Sequence, residues 1–166
     1  MNFIQKIKES PHYERLKNSD QYRFDKRQFL VMAALSAGYI LIAVLGATSG
    51  IKGDISVGIS FFFSLIFLGA TLYFGFRWLE IFLYMEHYTF CQVKMEKLHL
   101  LGRGIACFSV EFTDRRGKLQ SRNTSNMFSS YRKPYVEDYN NKMALIGYNE
   151  KTDRLVVIGL AQGNIH

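Results

Sequence analysis

Two runs of twenty residues without a single charge, 29–48 (FLVMAALSAGYILIAVLGAT) and 57–76 (VGISFFFSLIFLGATLYFGF), constrain this chain more than any other feature. At about 1.5 Å per helical residue each reaches roughly 30 Å, the hydrocarbon thickness of a bilayer. The first holds nine Leu, Ile, Phe or Val and the second twelve. At about −0.3 to −0.6 kcal/mol for each of those residues, both runs should insert. A helix buried in a soluble core normally keeps a polar face, and neither run has one. A cleaved signal peptide fits the first run poorly, because the 28 residues before it include four acids and its apolar stretch is longer than a secretory signal requires. Both are therefore expected to be retained transmembrane helices, the second continuing to about residue 86.

The link 49–56 (SGIKGDIS) contains one Lys, one Asp and two Gly, room only for a helical hairpin. Residues 1–28 carry seven Lys/Arg against four Asp/Glu, 29–86 two against three, and 87–166 twelve against seven, so the net charge of +7 lies outside the middle. Basic residues flank the hairpin's open end and barely occur in its link. The positive-inside rule then puts both termini in the cytoplasm of a multi-pass inner-membrane protein. The expected organisation is a cytosolic segment over 1–28, a transmembrane hairpin over 29–86 and a cytosolic domain over 87–166.

Small residues four apart, Ala34 with Gly38, Ser60 with Ser64 and Thr71 with Gly75, are candidate helix-packing positions. Arg77 and Trp78 mark the membrane interface, and Glu80, three residues past Arg77, can pair with it there. A charge within a span would suggest an ion pathway. These lie past the twentieth residue of the run and read as interfacial anchors. At the other end, Phe3, Ile4 and Ile7 with Lys6 and Lys8 form a short amphipathic segment limited by Pro11, suited to an inner leaflet or to solvent.

Beyond the membrane the apolar period changes from helical to alternating. Phe108, Val110 and Phe112 point one way and Ser109, Glu111 and Thr113 the other, the pattern of a half-buried strand. Asp114-Arg115-Arg116-Gly117 supplies a turn, with 118–124 returning as the partner. Residues 88–97 form an earlier strand, broken over 98–104, and 142–148 with 155–160 bracket a second hairpin. About five short strands in eighty residues predict a small antiparallel β-domain, barrel-like or a curled sheet. The fold class is thus an α+β membrane protein.

Val110-Glu111-Phe112-Thr113-Asp114-Arg115-Arg116-Gly117, followed by Ile146-Gly147-Tyr148-Asn149 and an apolar strand over 155–158, resembles the pattern V-E-F-x-D-x-x-G … Y-D-P of a family of uncharacterised bacterial membrane proteins with transmembrane helices and a small β-domain. The prolines after the tyrosine are missing here. The resemblance implies a fold and a membrane address and brings no catalytic residue. In architecture alone the chain is also similar to membrane-anchored β-barrel effectors of anti-phage systems, which implies a ligand-sensing, membrane-active alternative. An immunity protein against a membrane-targeting toxin is a further one.

Chemistry is sparse. His12, His87, His99 and His166 have no Cys or carboxylate at metal-ligand spacing. Cys91 and Cys107, on separate strands, behave as reduced core residues in cytosol. No nucleophile elbow, phosphate loop or dinucleotide fingerprint occurs, and Gly102-Arg103-Gly104 is a lone glycine pair that marks a turn. No catalytic residue, metal or cofactor is expected. The candidate binding residues are basic: Arg115, Arg116, Lys118 and Arg122 around one hairpin, with Arg132 and Lys133 in a polar connection that includes Met127, Phe128, Tyr131 and Tyr135. Such a set fits anionic headgroups, an acidic protein or the phosphates of a nucleotide, or simply solvates the domain. RNA is disfavoured, since no aromatic recognition motif is in place. The sequence therefore points to a non-enzymatic membrane protein whose β-domain binds another protein or a second copy of itself.

Overall fold

The computed structural model describes residues 9–48, 55–100, 105–126 and 135–161. Two long apolar helices are followed by two small antiparallel sheets, an α+β fold. A short helix α1 (Tyr13–Lys17) precedes the long helices α2 (Asp20–Thr48) and α3 (Ile55–Leu83), and a 3₁₀ turn (Met85–His87) leads into strand β1 (Tyr88–Lys94). Then come β2 (Lys97–Leu100), β3 (Ala106–Thr113), β4 (Leu119–Asn123), the single turn α4 (Val136–Tyr139), β5 (Met143–Asn149) and β6 (Arg154–Leu160). By contact the chain divides into two compact units, one of Asp25–Glu80 and one of the residues up to Phe24 together with those from Ile81 onward.

The helical unit is apolar on its outside. The most hydrophobic windows of α2 and α3 have mean hydropathy 2.3 and 2.0, and only 6% and 11% of them is buried by the rest of the chain. Leu41, Leu45, Phe61, Phe62, Leu72 and Phe76 are each more than half exposed. Inside the hairpin the contacts are aromatic and small: Tyr39 stacks on Phe63 and Phe67 at 5.6 and 5.4 Å, and Phe29 stacks on Trp78 at 5.5 Å. The Ser36 hydroxyl donates to the Ser64 carbonyl at 3.5 Å. The link over 49–54 lies outside the described residues.

The other unit is layered. Sheet one has strand order β1-β5-β6 and sheet two β2-β3-β4, all antiparallel. Between them lies the main core, in which Val93, Phe108, Val110, Phe112, Ile146, Tyr148, Leu155 and Val157 interdigitate with Tyr139 of α4 and Phe24 of α2. The opposite face of sheet one is also covered. Tyr88 and Val156 pack there against Leu16, Ile81 and Met85, with Tyr13, Tyr22, Phe82, Phe90 and Ile158 at the edge. Alternation along β6 makes this possible, since Leu155 and Val157 enter one core while Val156 and Ile158 enter the other. A strand buried on both faces has no polar face to show, which explains the continuous apolar run from Leu155 to Ile158.

One difference from the sequence reading follows from this layering. Where a break was expected to begin at residue 98, Lys97–Leu100 is strand β2, giving six strands among the described residues. The side chains directed at the main core run 91, 93, 95 and then shift phase to 98 as the chain leaves sheet one for sheet two. Met95, fully buried at the crossing, is held by Asn141 N–H donating to its carbonyl at 2.9 Å and by its own N–H on the Lys142 carbonyl at 3.0 Å. The helix-end residues Leu16, Phe24, Ile81 and Met85 are buried on the sheets and belong to the same compact unit as the strands. Tyr139 reinforces this by donating a hydrogen bond to the Asp20 carboxylate.

At Gly147 of β5 two rings of the neighbouring strand β1 lie close over the backbone. A Cβ added there would stand 3.0 Å from Cδ1 of Tyr88 and 3.1 Å from Cε1 of Phe90, rings that stack on each other at 6.2 Å. Valine ordinarily suits a strand better than glycine, yet Gly147→Val should destabilise the protein by about 1–3 kcal/mol through overpacking. Thermal unfolding of the detergent-solubilised chain reads this, and a stabilised variant would contradict the close approach.

Candidate binding surface

The basic hairpin owes its shape to one carboxylate. Asp114 Oδ1 accepts from the N–H groups of Arg116 and Lys118 at 2.9 and 3.0 Å, while Oδ2 accepts from the Gln120 amide at 3.0 Å. Gly117 takes φ of 76°, a left-handed conformation suited to glycine. The hydrogen bond from Gln120, followed by those from the Lys118 and Arg116 backbone, holds the Asp114 carboxyl below its usual range.

On this turn the four expected basic residues part company. Arg122 turns toward the β5–β6 loop and meets Asp153 at 3.3 Å, where Asp153 also accepts from the Tyr148 hydroxyl at 2.7 Å. Arg115 folds the other way and donates from Nη2 to the Tyr88 carbonyl at 2.8 Å. Arg116 and Lys118 are exposed, and their side chains meet no partner among the described residues. Arg132 and Lys133, with Met127, Phe128 and Tyr131, lie outside the described residues, as do Phe3, Ile4, Lys6, Ile7 and Lys8, the pair Gly102 and Gly104, and His166.

In the helical unit Ser60 and Ser64 are buried between the helices, and Gly75 faces the Phe29 ring, whose carbons come to 3.2 Å from an added Cβ. Thr71 returns its hydroxyl to the Phe67 carbonyl at 2.7 Å. Ala34 and Gly38 are exposed on the outer side of α2. Arg77 donates to the Tyr73 hydroxyl at 2.9 Å, Trp78 stacks on Phe29, and Glu80 is half-buried on the following turn.

Sequence reasoning missed a cluster that the fold assembles beside β1. His12 lies 5.1 Å from the Phe90 ring and the Arg15 guanidinium 4.8 Å from the same ring, and two residues earlier on the strand the Tyr88 carbonyl receives Arg115. Burial, then Arg15, then Arg115 lower the pKa of His12 below 6.5, with Glu86 opposing them. Glu9, Ser10, Pro11, His12 and Glu86 line an open cavity of about 300 Å³ alongside. Nothing in the sequence links His12 and Arg15 to a strand more than seventy residues later; only the burial of Leu16 against sheet one does so.

A second polar chain crosses sheet two. Ser109 Oγ donates to Asn123 Oδ1 at 2.7 Å and lies 2.8 Å from His99 Nε2, all three on the exposed face. The Ser109 hydroxyl thus bridges the His99 ring and the Asn123 side chain across neighbouring strands. Cys91 and Cys107 are free thiols whose pKa values burial raises, the reverse of what a nucleophilic cysteine needs. Among the described residues no three His, Cys, Asp or Glu side chains gather into a metal site.

No family model matches this chain, and no curated protein or solved structure matches it either.

Proposed function

We propose that the chain is a non-enzymatic, integral inner-membrane protein whose two-helix hairpin anchors a small cytosolic β-domain for binding another protein or a second copy of itself. The observation that carries this reading is the uncovered apolar surface of α2 and α3, with 6% and 11% of their most hydrophobic windows buried. Left in water, such surface would cost about 25 cal/mol for every Å²; in a bilayer it costs nothing. The charge distribution supports the orientation: one Lys in the link against seven Lys/Arg in residues 1–28 and twelve in 87–166. The role is tethering, in which confinement raises the effective concentration of the β-domain toward other membrane-bound molecules, so that modest contacts suffice. The raised pKa values of the Cys91 and Cys107 thiols disfavour thiolate chemistry and support a binding role.

The test is topological. A fluorescent reporter that matures only in the cytoplasm, fused after His166, should be bright, and an export-dependent phosphatase at the same place should be inactive. The reverse result would remove the cytosolic tether and make a periplasmic role the better reading.

A further inference from the structure

We propose that His12, Arg15 and Arg115 form a binding site for a phosphoryl group, supplied either by an anionic lipid headgroup or by a soluble phosphate ester. The site stands independently of the topology proposed above.

The geometry begins with two arginines that are fixed in place yet not neutralised. Arg15 is held by stacking on Phe90, with its guanidinium carbon 4.8 Å from the ring centroid. Arg115 is held by one Nη on the Tyr88 carbonyl at 2.8 Å. Neither forms an ion pair with a carboxylate among the described residues. A guanidinium has five N–H donors, so most of those on Arg115 remain for a ligand. Holding a long, flexible side chain in one place before binding lowers the entropy cost of the contact.

His12 completes the set. Its ring lies 5.1 Å from the Phe90 ring that Arg15 also meets, and its titration responds to both arginines. Three donors on three segments, one before α1, one within it and one in the β3–β4 turn, match a tetrahedral oxyanion better than a planar carboxylate, which one guanidinium fork satisfies. The charged groups around His12 are these two arginines and Glu86, with Glu9 and Glu86 sharing the adjoining cavity. Neither arginine lines that cavity, so the anion belongs beside the two guanidinium groups and not among the carboxylates.

The arrangement has a protonation consequence. Burial, Arg15 and Arg115 hold the His12 pKa below its ordinary value while the site is empty and so favour the neutral ring. A bound dianion offsets Arg15 and Arg115 and raises that pKa, so binding takes up a proton. Affinity therefore increases as the pH falls from 7 through the pKa of the empty site, and levels off below it.

The experiment uses the full-length chain in neutral detergent and in phosphatidylcholine nanodiscs with or without phosphatidic acid. Binding is followed by the backbone amide resonance of Phe90, which every variant keeps, and in the native chain also by the ring resonances of His12. Inorganic phosphate titrates near neutrality itself, so sulfate, which does not, serves as the soluble probe for the pH series. Either sulfate with phosphate, or phosphatidic acid, should shift the His12 resonances saturably. Saturation by the soluble ions in detergent assigns the site to a free phosphate ester; a response confined to phosphatidic acid assigns it to a headgroup. Arg15→Gln and Arg115→Gln should each weaken binding by between about tenfold and a hundredfold, and His12→Gln should abolish the pH slope. Arg115→Lys keeps a donor for the Tyr88 carbonyl and guards against a folding artefact. The exposed Lys142, remote in sequence from all three donors, should tolerate Lys142→Gln without effect. No response to any probe, binding unchanged in both Arg→Gln variants, or an equal loss in Lys142→Gln would overturn the site.

Discussion

Phe108→Ala is expected to remove about 3–5 kcal/mol from the stability of the β-domain. Phe108 is fully buried at the centre of β3, between the two sheets, and its neighbours in the main core come from every layer that meets there: Val93 of β1, Ile146 of β5, Leu155 of β6 and Tyr139 of α4. The backbone around it is equally constrained, because its N–H donates to the Thr124 hydroxyl at 2.9 Å and its carbonyl accepts from the Thr124 N–H at 2.8 Å. A strand tied at both groups cannot collapse into the cavity the ring leaves, which places the cost toward the upper end of the range. The helical unit need not open with the β-domain, so a single melting curve would mix the two. Hydrogen exchange of the β3 and β5 amides in the full chain separates them, and protection there should fall by a factor on the order of a hundred to a few thousand. Leu119→Ala supplies the contrast: Leu119 is 67% exposed on β4 and should change stability by no more than about 0.5 kcal/mol. Equal effects at the two positions would mean that the sheets do not share one core.

The parts of this fold that were legible in the sequence are those fixed by local pattern. A helix surrounded by lipid must be apolar on all sides, and this signal needs no knowledge of any neighbour. The β3–β4 hairpin was legible for a similar reason, since alternation over 108–113 and the Asp114 and Gly117 turn chemistry act within a dozen residues. The second hairpin, expected over 142–148 and 155–160, forms as Met143–Asn149 and Arg154–Leu160.

What stayed hidden depends on distant segments. The helix α2 begins at Asp20, well before the apolar run, and its polar first turns gave no membrane signal; Phe24 is buried because sheets and α4 lie against it. The single turn α4 is far too short to be stable alone. It is set by Tyr135, whose N–H donates to Asp138 Oδ2 at 2.9 Å, and by burial of Val136 and Tyr139. The candidate site followed the same rule. Arg115 was legible as one member of a basic hairpin, but its orientation toward Tyr88, and with it the separation from Arg122, depends on where β1 lies. His12 and Arg15 offered no motif at all.

Leu68→Arg should decide whether α3 lies in lipid or in water, because the two environments predict effects of opposite sign. Leu68 sits near the middle of the Ile55–Leu83 helix and is 42% exposed. In water, exchanging an exposed leucine for arginine leaves stability within about 0.5 kcal/mol and improves solubility. In a bilayer, the same change replaces a residue that favours insertion by about 0.5 kcal/mol with one that opposes it by about 2.5–3.5, a swing of roughly 3–4 kcal/mol. Most of the chain should then fail to reach carbonate-washed membranes in a folded form. Depth provides the internal control. Leu79 is more exposed, at 54%, but stands beside Trp78 at the expected interface, where an arginine can extend into the headgroups. Leu79→Arg should therefore leave membrane recovery nearly unchanged. A bilayer is the environment that makes the less exposed position the more sensitive one, so equal tolerance at Leu68 and Leu79 would refute the spanning helix.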